Sequence, residues 1–533
     1  MVFESLTGRA LAVVLGLGLA PGAGGAQGSA PHPTLVVVIT VDQMRGDYLR
    51  RYAAQWVGGF RRFYTEGTEY SRGLQDHAST ETAPGHSTVL SGRDPAHTGI
   101  VTNSRGVPDA SAPVLGMVDT VGASPRRFRG TTLYDWMLAR DPDARVLSVS
   151  RKDRGAIFPV GRAKGSVYWY AEGRFTTSRY YTTTLPDWVD AFNAENGVAR
   201  LAGTTWSLLR PDSVYAEPDT LPFENGGADF VFPHRLPAAD TIAQRITAYP
   251  WMDSLTLAFA LDGVRALALG HRRDPDLLAV SLSTTDAVGH AFGPDSREIH
   301  DQLLRVDVWL GQFCDSLARL VPGNRIVFVL TADHGVSPLP EYEVLVRHER
   351  AGRLGGGYGI ASRLEAVLER RYAAEFGVTF ENGLLSADVE ALGARGVDVD
   401  SLSAAVASEV AGWPGVAAVY TPATLRAAPV ADRGARLWRR TLPADYGWLF
   451  CAVTRPHYVW SGGSLGGAHG GATLDDEWVP IAFVGPGIPR QHVDREVRTV
   501  DIAPTLAALL GITPTEPLDG RVLSEVVSAV ARR

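Results

Sequence analysis

The sequence contains very little cysteine. Its 533 residues include only two, Cys314 and Cys451. So few thiols exclude a disulfide framework and any cysteine-rich metal site. Their positions in sequence leave open whether the two pair with each other. Cys314 lies among apolar residues at helical spacing, which predicts a buried thiol in the core.

The sequence also lacks an excess of basic over acidic residues. Lys and Arg number 51 against 58 Asp and Glu, which gives a formal net charge of −7 at pH 7. Nucleic-acid binders cluster Lys and Arg on one surface, so we do not expect nucleic acid as the main partner. Apolar residues make up 45% of the chain and charged residues 20%, a composition typical of folded proteins with a large core.

No apolar run reaches the roughly 18 residues that a membrane-spanning helix needs. The run 10–20 follows Arg9 and precedes small residues up to Ala26, an order that predicts a secretory signal peptide over residues 1–26. We therefore expect a periplasmic or secreted protein without a membrane span. A disordered N-terminus on a cytosolic protein stays open as the alternative, because Glu4 balances the single arginine.

Short β-branched runs alternate with helical patterns along the chain. Continuous apolar runs of this length are typical of parallel strands buried on both faces. The pattern predicts an α/β fold, a three-layer sandwich around a mainly parallel central sheet. The expected strands are 35–41, 146–149, 277–282, 326–330 and 481–484, and the expected helices are 253–269, 297–320 and 499–510.

Two stretches interrupt this alternation, at approximately 155–235 and 336–463. A chain of 533 residues exceeds the usual size of a single core, so it holds either several domains or one enlarged domain with insertions. We interpret both stretches as insertions that form a cap over the ligand-binding edge of the sheet.

Polar residues follow four of the five predicted strands. Ligands of such sheets gather at the carboxyl ends of the strands. Three aspartates and three histidines are enough for two metal sites, because zinc accepts carboxylate oxygen and imidazole nitrogen. Each residue taken singly is as well explained by a helix cap or a satisfied polar pair. The six candidates are Asp42, Asp286, His290, Asp333, His334 and His469.

Thr82 stands two residues before Pro84, and a proline at this point predicts the start of a helix. This position places the Thr82 hydroxyl at the positive end of the helix dipole. A hydroxyl becomes a good nucleophile when a metal ion and a helix N-terminus lower its pKa. From these residues alone, a simple N-cap role for Thr82 remains the stronger interpretation.

The run Thr82-Ala-Pro-Gly-His resembles the nucleophile region of the alkaline phosphatase superfamily, specifically its type I phosphodiesterase/nucleotide pyrophosphatase branch. In that branch an asparagine follows the nucleophilic threonine 21 positions later, and Asn103 stands there in this chain. The metal-binding motifs occur in the same order, at Asp42, Asp286 to His290, Asp333-His334 and His469. The resemblance covers residues 34–520, which we interpret as one alkaline phosphatase-like catalytic domain.

The resemblance implies two zinc ions per chain and a role for each ligand. It assigns Asp42, Thr82, Asp333 and His334 to one zinc, and Asp286, His290 and His469 to the other. It further implies that Thr82 attacks phosphorus, and that water then hydrolyses the resulting phosphothreonine. Sites built from Asp and His also accept manganese, cobalt or iron, so the identity of the metal stays open.

The run Ser150-Arg-Lys-Asp-Arg154 resembles the Lys-x-Asp-Arg motif of the phosphate-irrepressible (PafA-like) alkaline phosphatases. The resemblance implies that Lys152 and Arg154 contact the non-bridging oxygens of the substrate. Two cations favour phosphate monoesters, which carry one more negative charge than diesters. We therefore expect small-molecule phosphate monoesters as substrates, with Asn103 and the backbone N–H of Ala83 as neutral donors.

Several alternatives remain beside this interpretation. A phosphodiesterase or nucleotide pyrophosphatase would use the same two-zinc site, although Lys152 and Arg154 argue against it. Sulfatases and cofactor-independent phosphoglycerate mutases share the fold, but a sulfatase needs Cys or Ser in place of Thr82. An inactive binding protein should have lost a ligand or the nucleophile, and none is missing. We expect structural roles for His86 and His97, and we favour a monomer while the oligomeric state stays open.

Overall fold

The computed structural model describes residues 32–118, 120–461 and 466–527. The predicted signal peptide, residues 1–26, lies outside the described residues. Across the residues described, no helix combines the length and the apolar character needed to cross a bilayer.

The described part of the chain alternates strands and helices throughout. Its strands are β1 (Leu35–Val41), β2 (Thr68–Leu74), β3 (Val146–Ser150), β4 (Ser166–Ala171), β5 (Arg174–Thr176), β6 (Thr205–Trp206), β7 (His234–Arg235), β8 (Asp276–Leu282), β9 (Ile326–Thr331), β10 (Gly352–Leu354), β11 (Thr379–Glu381), β12 (Leu384–Ser386), β13 (Val416–Tyr420), β14 (Trp448–Thr454), β15 (Tyr458–Trp460), β16 (Trp478–Val484) and β17 (Gln491–Arg498). Its α-helices are α1 (Tyr48–Arg51), α2 (Gly59–Thr65), α3 (Thr82–Val89), α4 (Pro95–Thr98), α5 (Leu133–Arg140), α6 (Asp153–Ile157), α7 (Asp187–Glu195), α8 (Ile242–Arg245), α9 (Trp251–Ala266), α10 (Thr284–Phe292), α11 (Arg297–Leu320), α12 (Pro340–Leu345), α13 (Gly356–Tyr372), α14 (Val389–Ala394), α15 (Val399–Ala411), α16 (Pro422–Ala427), α17 (Arg433–Thr441), α18 (Leu474–Glu477), α19 (Ile502–Leu510) and α20 (Ser524–Val527).

A nine-stranded sheet in the order β17-β2-β16-β9-β1-β8-β3-β4-β5 forms the centre of the molecule. The strands from β9 through β1, β8 and β3 to β4 are mutually parallel, as are β17 and β2. Every residue of β1, β3, β8 and β9 is buried, because both faces of the sheet are covered. The predicted α/β fold with a mainly parallel central sheet is confirmed.

The strand β16 differs from the prediction. It was expected among the parallel strands, yet it runs antiparallel to both of its neighbours, β9 and β2. An apolar run reports that a strand is buried on both faces, but it carries no information about direction. Direction follows from the connection between strands, and β16 enters the sheet directly from the short helix α18.

The stretch 155–235, expected to belong wholly to the cap, contributes two strands to the central sheet instead. β4 pairs parallel with β3, and β5 pairs antiparallel with β4. Tyr168, Trp169 and Tyr170 are buried within β4. Aromatic residues are well suited to a buried strand, because they pack against neighbours on the pleated surface. The remainder of the stretch holds α7, β6, β7 and short 3-10 turns.

The stretch 336–463 builds a second layer of structure with its own core. The strands β11, β12, β14 and β13 form an antiparallel sheet, which α13 and α15 contact. Leu385, Leu449 and Phe450 are fully buried in this core. We refer to the described part of this stretch, residues 336–461, as the cap.

Both cysteines are free and buried. Cys314 lies on α11, as the helical spacing predicted, and Cys451 lies in β14 of the cap sheet. Burial raises the pKa of Cys314 to about 12. The two thiols belong to separate cores, so the structure holds no disulfide between them.

Candidate active site

The carboxyl ends of three adjacent parallel strands bring the predicted ligands together. Asp42 directly follows β1, and Asp333 stands two residues after β9. Asp286 lies on α10, which begins two residues after β8 ends. Because β1 lies between β8 and β9 in register, these three carboxylates converge at one edge of the sheet.

Asp42, Asp333 and His334 form the first group of candidate ligands. One ligand atom from each lies within 4.8 Å of the others, and all three residues are buried. The Nε2 atom of His334 lies 3.4 Å from Asp42 Oδ1 and 3.6 Å from Asp333 Oδ2. The structure therefore brings together the side chains of the first predicted zinc site, apart from Thr82.

Asp286, His290 and His469 form the second group. The helix α10 places Asp286 and His290 one turn apart, with His290 Nε2 3.2 Å from Asp286 Oδ1. His469 Nε2 lies 3.2 Å from His290 Nε2 and 3.5 Å from Asp286 Oδ1. The rings of His334 and His469 stack at 3.7 Å, so the two groups adjoin.

The orientation of the three histidines fits a metal site. His290 Nδ1–H donates to the carbonyl of Gly467 at 2.7 Å, and His469 Nδ1–H donates to the carbonyl of Thr80 at 2.8 Å. His334 Nδ1–H donates to the carbonyl of Gly335 at 2.9 Å. A carbonyl can only accept, so each Nδ1 carries a proton and each Nε2 faces the carboxylates, the arrangement that metal-binding histidines adopt.

Unpartnered atoms point to the same conclusion. His334 Nε2 and Asp42 Oδ1 are buried and lack a hydrogen-bond partner among the described residues. A buried polar atom without a partner costs about 1–3 kcal/mol. A cation bound between imidazole nitrogen and carboxylate oxygens removes this cost, so the donor set fits zinc or a similar divalent metal.

The charges in the site perturb its titratable groups strongly. Burial raises the pKa of Asp42, and the neighbouring Asp333 carboxylate raises it further. Burial alone would also raise the pKa of Asp286, but the Lys152 ammonium and His290 bring it well below its ordinary value. Burial also lowers the pKa of His334 well below its ordinary value, so its imidazole is neutral, the form that ligates metals.

The pKa of His469 is shifted in the opposite direction from that of His334. Burial alone would lower its pKa, but the hydrogen bond to Asp286 and the charge of that carboxylate raise the pKa of His469 to about 9. A metal ion held by His469 would have to displace this imidazole proton, since a ligating imidazole is neutral.

The helix α3 begins at Thr82, as the position of Pro84 predicted, but Thr82 is its first residue rather than its N-cap. Glu81 holds the N-cap position in an extended conformation. Gly85 permits the close approach of α3 to the metal-ligand loop, because a Cβ there would lie 2.0 Å from the Asp333 carbonyl oxygen. The hydroxyl of Thr82 accepts a hydrogen bond of 3.0 Å from the Lys152 ammonium.

The two histidines expected to be structural make structural contacts. His86 Nδ1–H donates to the carbonyl of Thr82 at 2.9 Å, and its Nε2 lies 3.0 Å from the Ser281 hydroxyl. His97 Nδ1 lies 2.7 Å from Asp519 Oδ2 at the surface. His86 thereby joins α3 to β8, and its Nδ1 also lies 3.1 Å from the candidate ligand Asp333. His97 joins α4 to the segment that holds Asp519.

Lys152 and Arg154 flank the ligand carboxylates. The Lys152 ammonium is buried and lies 2.7 Å from both Asp42 Oδ2 and Asp286 Oδ2. Arg154, on α6, has a buried Nε atom without a hydrogen-bond partner among the described residues. Both residues line a cavity of about 530 Å³ that also reaches Asp286 and His290. We refer to it as the basic cavity.

Comparison with known proteins identifies the family. The family model for type I phosphodiesterase/nucleotide pyrophosphatase matches residues 36–433. The chain belongs to this family. Its relatives include alkaline phosphatase PhoV of Synechococcus elongatus, which is 31% identical with 93% of each chain covered. Alkaline phosphatase PafA of Elizabethkingia meningoseptica is 30% identical, with 96% of this chain and 98% of the relative covered.

The crystal structure of wild-type alkaline phosphatase PafA has the same fold as this chain. The two structures superpose with a TM-score of 0.85 at 28% identity, covering 94% of this chain and 100% of that one. The family and its named relatives establish the chain as a phosphoester hydrolase with an alkaline phosphatase-like fold.

The backbone N–H of Ala83, which we expected to donate to the substrate, is bonded within the protein. The backbone N–H of Ala83 donates to Asn103 Oδ1 at 2.8 Å instead of remaining free for substrate. The backbone N–H of Asn103 in turn donates to Glu81 Oε2 at 2.7 Å. The bond from Ala83 orients the side-chain amide of Asn103, whose NH₂ group is its donor, and the bond to Glu81 fixes the backbone of Asn103.

Sequence reasoning missed two residues of the site, Arg151 and Gln43. Arg151 lines the basic cavity, with Nη2 3.8 Å from Asp286 Oδ2. Gln43 Nε2 donates to Asp286 Oδ1 at 3.1 Å, and its backbone N–H donates to Asp333 Oδ1 at 3.2 Å. Arg151 precedes Lys152 and Gln43 follows Asp42 in the sequence. Their position next to these two predicted site residues was the signal that could have identified them.

The backbone at Gln43 is strained to make these contacts. Its φ of 64° lies in the left-handed region, which costs energy for a residue with a Cβ. Its side chain fits because position 289 is glycine, where a Cβ would lie 1.8 Å from Gln43 Oε1. One residue thereby bonds a carboxylate from each ligand group.

Proposed function

We propose that this chain is a secreted, zinc-dependent alkaline phosphatase that hydrolyses phosphate monoesters through a phosphothreonine on Thr82. The observation that carries the proposal is the position of the Lys152 ammonium, which donates to the Thr82 hydroxyl and contacts Asp42 and Asp286. It places a cation beside the candidate nucleophile, where a phosphate dianion would bind. The relatives that are named alkaline phosphatases support the same activity.

We assign one zinc ion to Asp42, Thr82, Asp333 and His334, and the second to Asp286, His290 and His469. The donor atoms of each group, Thr82 apart, lie within reach of one another, and each histidine presents Nε2. Bound zinc supplies Lewis acidity that stabilises charge on the attacking and leaving oxygens.

The protein's own residues account for the rest of the reaction. The Thr82 oxygen forms a bond to phosphorus while the bond between phosphorus and the alcohol oxygen breaks, and the proton of the Thr82 hydroxyl ends on the released alcohol. Water then forms a bond to the same phosphorus as the bond between phosphorus and the Thr82 oxygen breaks. One proton of this water restores the Thr82 hydroxyl, and inorganic phosphate leaves. Lys152, Arg154 and the NH₂ group of Asn103 stabilise the negative charge on the non-bridging oxygens.

The preference for monoesters rests on charge. A monoester dianion offers Lys152 and Arg154 one more negative charge than a diester does. A phosphodiesterase or nucleotide pyrophosphatase with the same metal site is the second candidate, because Met117, Val121 and Trp169 line the basic cavity and could hold a second alcohol group. Lys152 and Arg154, which line the same cavity, favour the monoesterase.

The remaining parts of the proposal concern the location and state of the protein. The signal-like order of residues 1–26 supports a secreted or periplasmic enzyme. We propose a monomer that acts on small phosphate monoesters and not on nucleic acid, consistent with a net charge of −7.

The test is a paired kinetic assay of zinc-loaded protein at pH 8. We expect a kcat/KM for p-nitrophenyl phosphate at least about a hundredfold above that for bis-p-nitrophenyl phosphate, and loss of both activities after chelation. A preference for the diester would favour the phosphodiesterase. Absence of both activities would contradict the proposal, and activity that survives exhaustive chelation would contradict the metal assignment.

A further inference from the structure

A second cavity, of about 440 Å³, adjoins the candidate active site. His290 and His469 line it together with Asn103, and the cap contributes Tyr358 and Glu381. We refer to it as the acidic cavity. It lies where the cap meets the nucleophile region, because Glu81 and Asn103 come from one side and the cap residues from the other.

Two carboxylates give this cavity its charge. Glu81 is 3% exposed, and its oxygens accept hydrogen bonds of 2.7 Å from Asn382 Nδ2 and from the backbone N–H of Asn103. Glu381 Oε2 accepts one of 2.5 Å from the Ser104 hydroxyl. All these donors are neutral, and neither glutamate forms an ion pair with a described residue. Among the described residues, His469 is the group whose positive charge lowers the pKa of Glu81, and no Lys or Arg pairs with either glutamate.

The two cavities beside the metal ligands differ in charge. Arg151, Lys152 and Arg154 line the basic cavity, whereas no Lys or Arg among the described residues lines the acidic one. His290 lines both, so they meet at the second group of candidate ligands. Asp153 and Asp286 also line the basic cavity, so its three cations exceed its carboxylates by one. A ligand that spans this point therefore meets an excess of Lys and Arg at one end and the two glutamates at the other.

Aromatic side chains complete the acidic cavity. Tyr358 and Trp460 line it, and Tyr358 is 40% exposed. Burial and the charges of Glu81 and Glu381 raise the pKa of Tyr358. Aromatic faces beside carboxylates favour cations, through cation–π attraction and charge pairing.

We propose that the acidic cavity binds the alcohol part of the substrate and selects alcohols that carry a positively charged amine. The preferred substrates are then zwitterionic esters, with a phosphate dianion at Lys152 and an ammonium group at Glu381. This inference rests on the proposed phosphomonoesterase function. In an in-line displacement the alcohol leaves opposite Thr82. We assign it to the acidic cavity because His290 and His469, which line this cavity, belong to the ligand group that does not include Thr82.

The experiment compares 2-aminoethyl phosphate with 2-hydroxyethyl phosphate, a neutral alcohol of nearly equal size. Phosphate release gives kcat/KM for each ester at pH 8. The quantity compared is the ratio of kcat/KM for 2-aminoethyl phosphate to kcat/KM for 2-hydroxyethyl phosphate. We expect Glu381→Gln to lower the ratio about fivefold or more, because a partly buried charge pair is lost. The exposed Glu390→Gln on α14 is the matched control and should keep the ratio of the unaltered protein.

A second variant keeps the test valid if Glu381→Gln does not fold. Tyr358→Leu removes the aromatic face and should lower the ratio about twofold or more. Raising the ionic strength should lower the ratio of the unaltered protein, since the cavity is partly open to solvent.

The outcomes separate this inference from the proposed function. If p-nitrophenyl phosphate is hydrolysed but neither variant lowers the ratio, the acidic cavity does not select cationic alcohols and the inference is wrong. A ratio below one that rises in Glu381→Gln would instead indicate selection of neutral polyols, which also contradicts it. If p-nitrophenyl phosphate is not hydrolysed at all, the proposed function itself fails and the inference fails with it.

Discussion

The Lys152 ammonium donates a hydrogen bond of 3.0 Å to the hydroxyl oxygen of Thr82, although 70 positions separate the two residues in sequence. Thr82 opens α3, and Lys152 stands between β3 and α6. The same ammonium lies 2.7 Å from Asp42 and from Asp286. A single cation therefore contacts the candidate nucleophile and one carboxylate of each candidate metal group.

Removing the Thr82 hydroxyl should abolish turnover while leaving the metals bound. We expect Thr82→Ala to lower kcat for p-nitrophenyl phosphate at least about a thousandfold, because the phosphothreonine cannot form. The candidate Asp and His ligands remain in this variant. Atomic emission spectroscopy should therefore still measure two zinc ions per chain. The exposed Thr65→Ala on α2 is the control. Near-normal turnover in Thr82→Ala would remove Thr82 from the role of nucleophile.

Lys152→Ala and Arg154→Ala should lower the activity on the monoester more than the activity on the diester. We expect each to lower kcat/KM for the monoester about a hundredfold and to affect the diester far less, since the diester carries one negative charge fewer. The measurement is the ratio of the two kcat/KM values, with the exposed Arg200→Ala as control. Equal losses on both substrates would show that neither cation recognises the additional charge.

Gln43 should act as a positioning residue for the metal ligands. We expect Gln43→Ala to weaken metal binding about tenfold or more, because Asp286 loses the donor that orients it. The measurements are the zinc retained during dialysis against a chelator and a comparison of kcat with KM. We expect kcat to fall while KM changes little.

Gln43→Gly separates the side chain from the backbone. Glycine adopts a φ of 64° without strain, so this variant loses the hydrogen bond but not the backbone conformation. Equal zinc loss in both variants would assign the effect to the side chain. Full zinc retention in both would contradict a positioning role.

Glu224 should make the stability of the protein depend on pH. Burial, together with the nearby Glu298 and Asp219 carboxylates, raises its pKa from 4.5 to about 9. Between these two values the folded state binds more protons than the unfolded state, so the free energy of unfolding falls as pH rises. We expect Glu224→Gln to stabilise the protein by about 1–2 kcal/mol at pH 9 and to change little at pH 5.

Urea unfolding at pH 5, 7 and 9 measures this difference. The exposed Glu195→Gln on α7 should unfold like the unaltered protein at all three values. If Glu224→Gln shows no stabilisation at pH 9, the Glu224 carboxyl ionises in the folded state without cost.

The sequence by itself determined the elements whose signal is local. The apolar runs predicted β1, β3, β8 and β9 to within one residue at each end, and the helical spacing predicted the bounds of α11. The strand-end positions of Asp42 and Asp333 predicted that these carboxylates meet, because parallel neighbours share an edge. Pro84 predicted where α3 begins, since it fits only the first turn of a helix.

The tertiary structure alone decided the features that depend on distant parts of the chain. The direction of β16, the addition of β4 and β5 to the sheet and the occupation of the Ala83 N–H by Asn103 leave no local pattern. The hydrogen bond from Gln43 to Asp333 joins residues 290 positions apart, and the one from Asn382 to Glu81 joins residues 301 positions apart. Periodicity reports whether a residue is buried, but which residue it meets follows only from the packing of the complete chain.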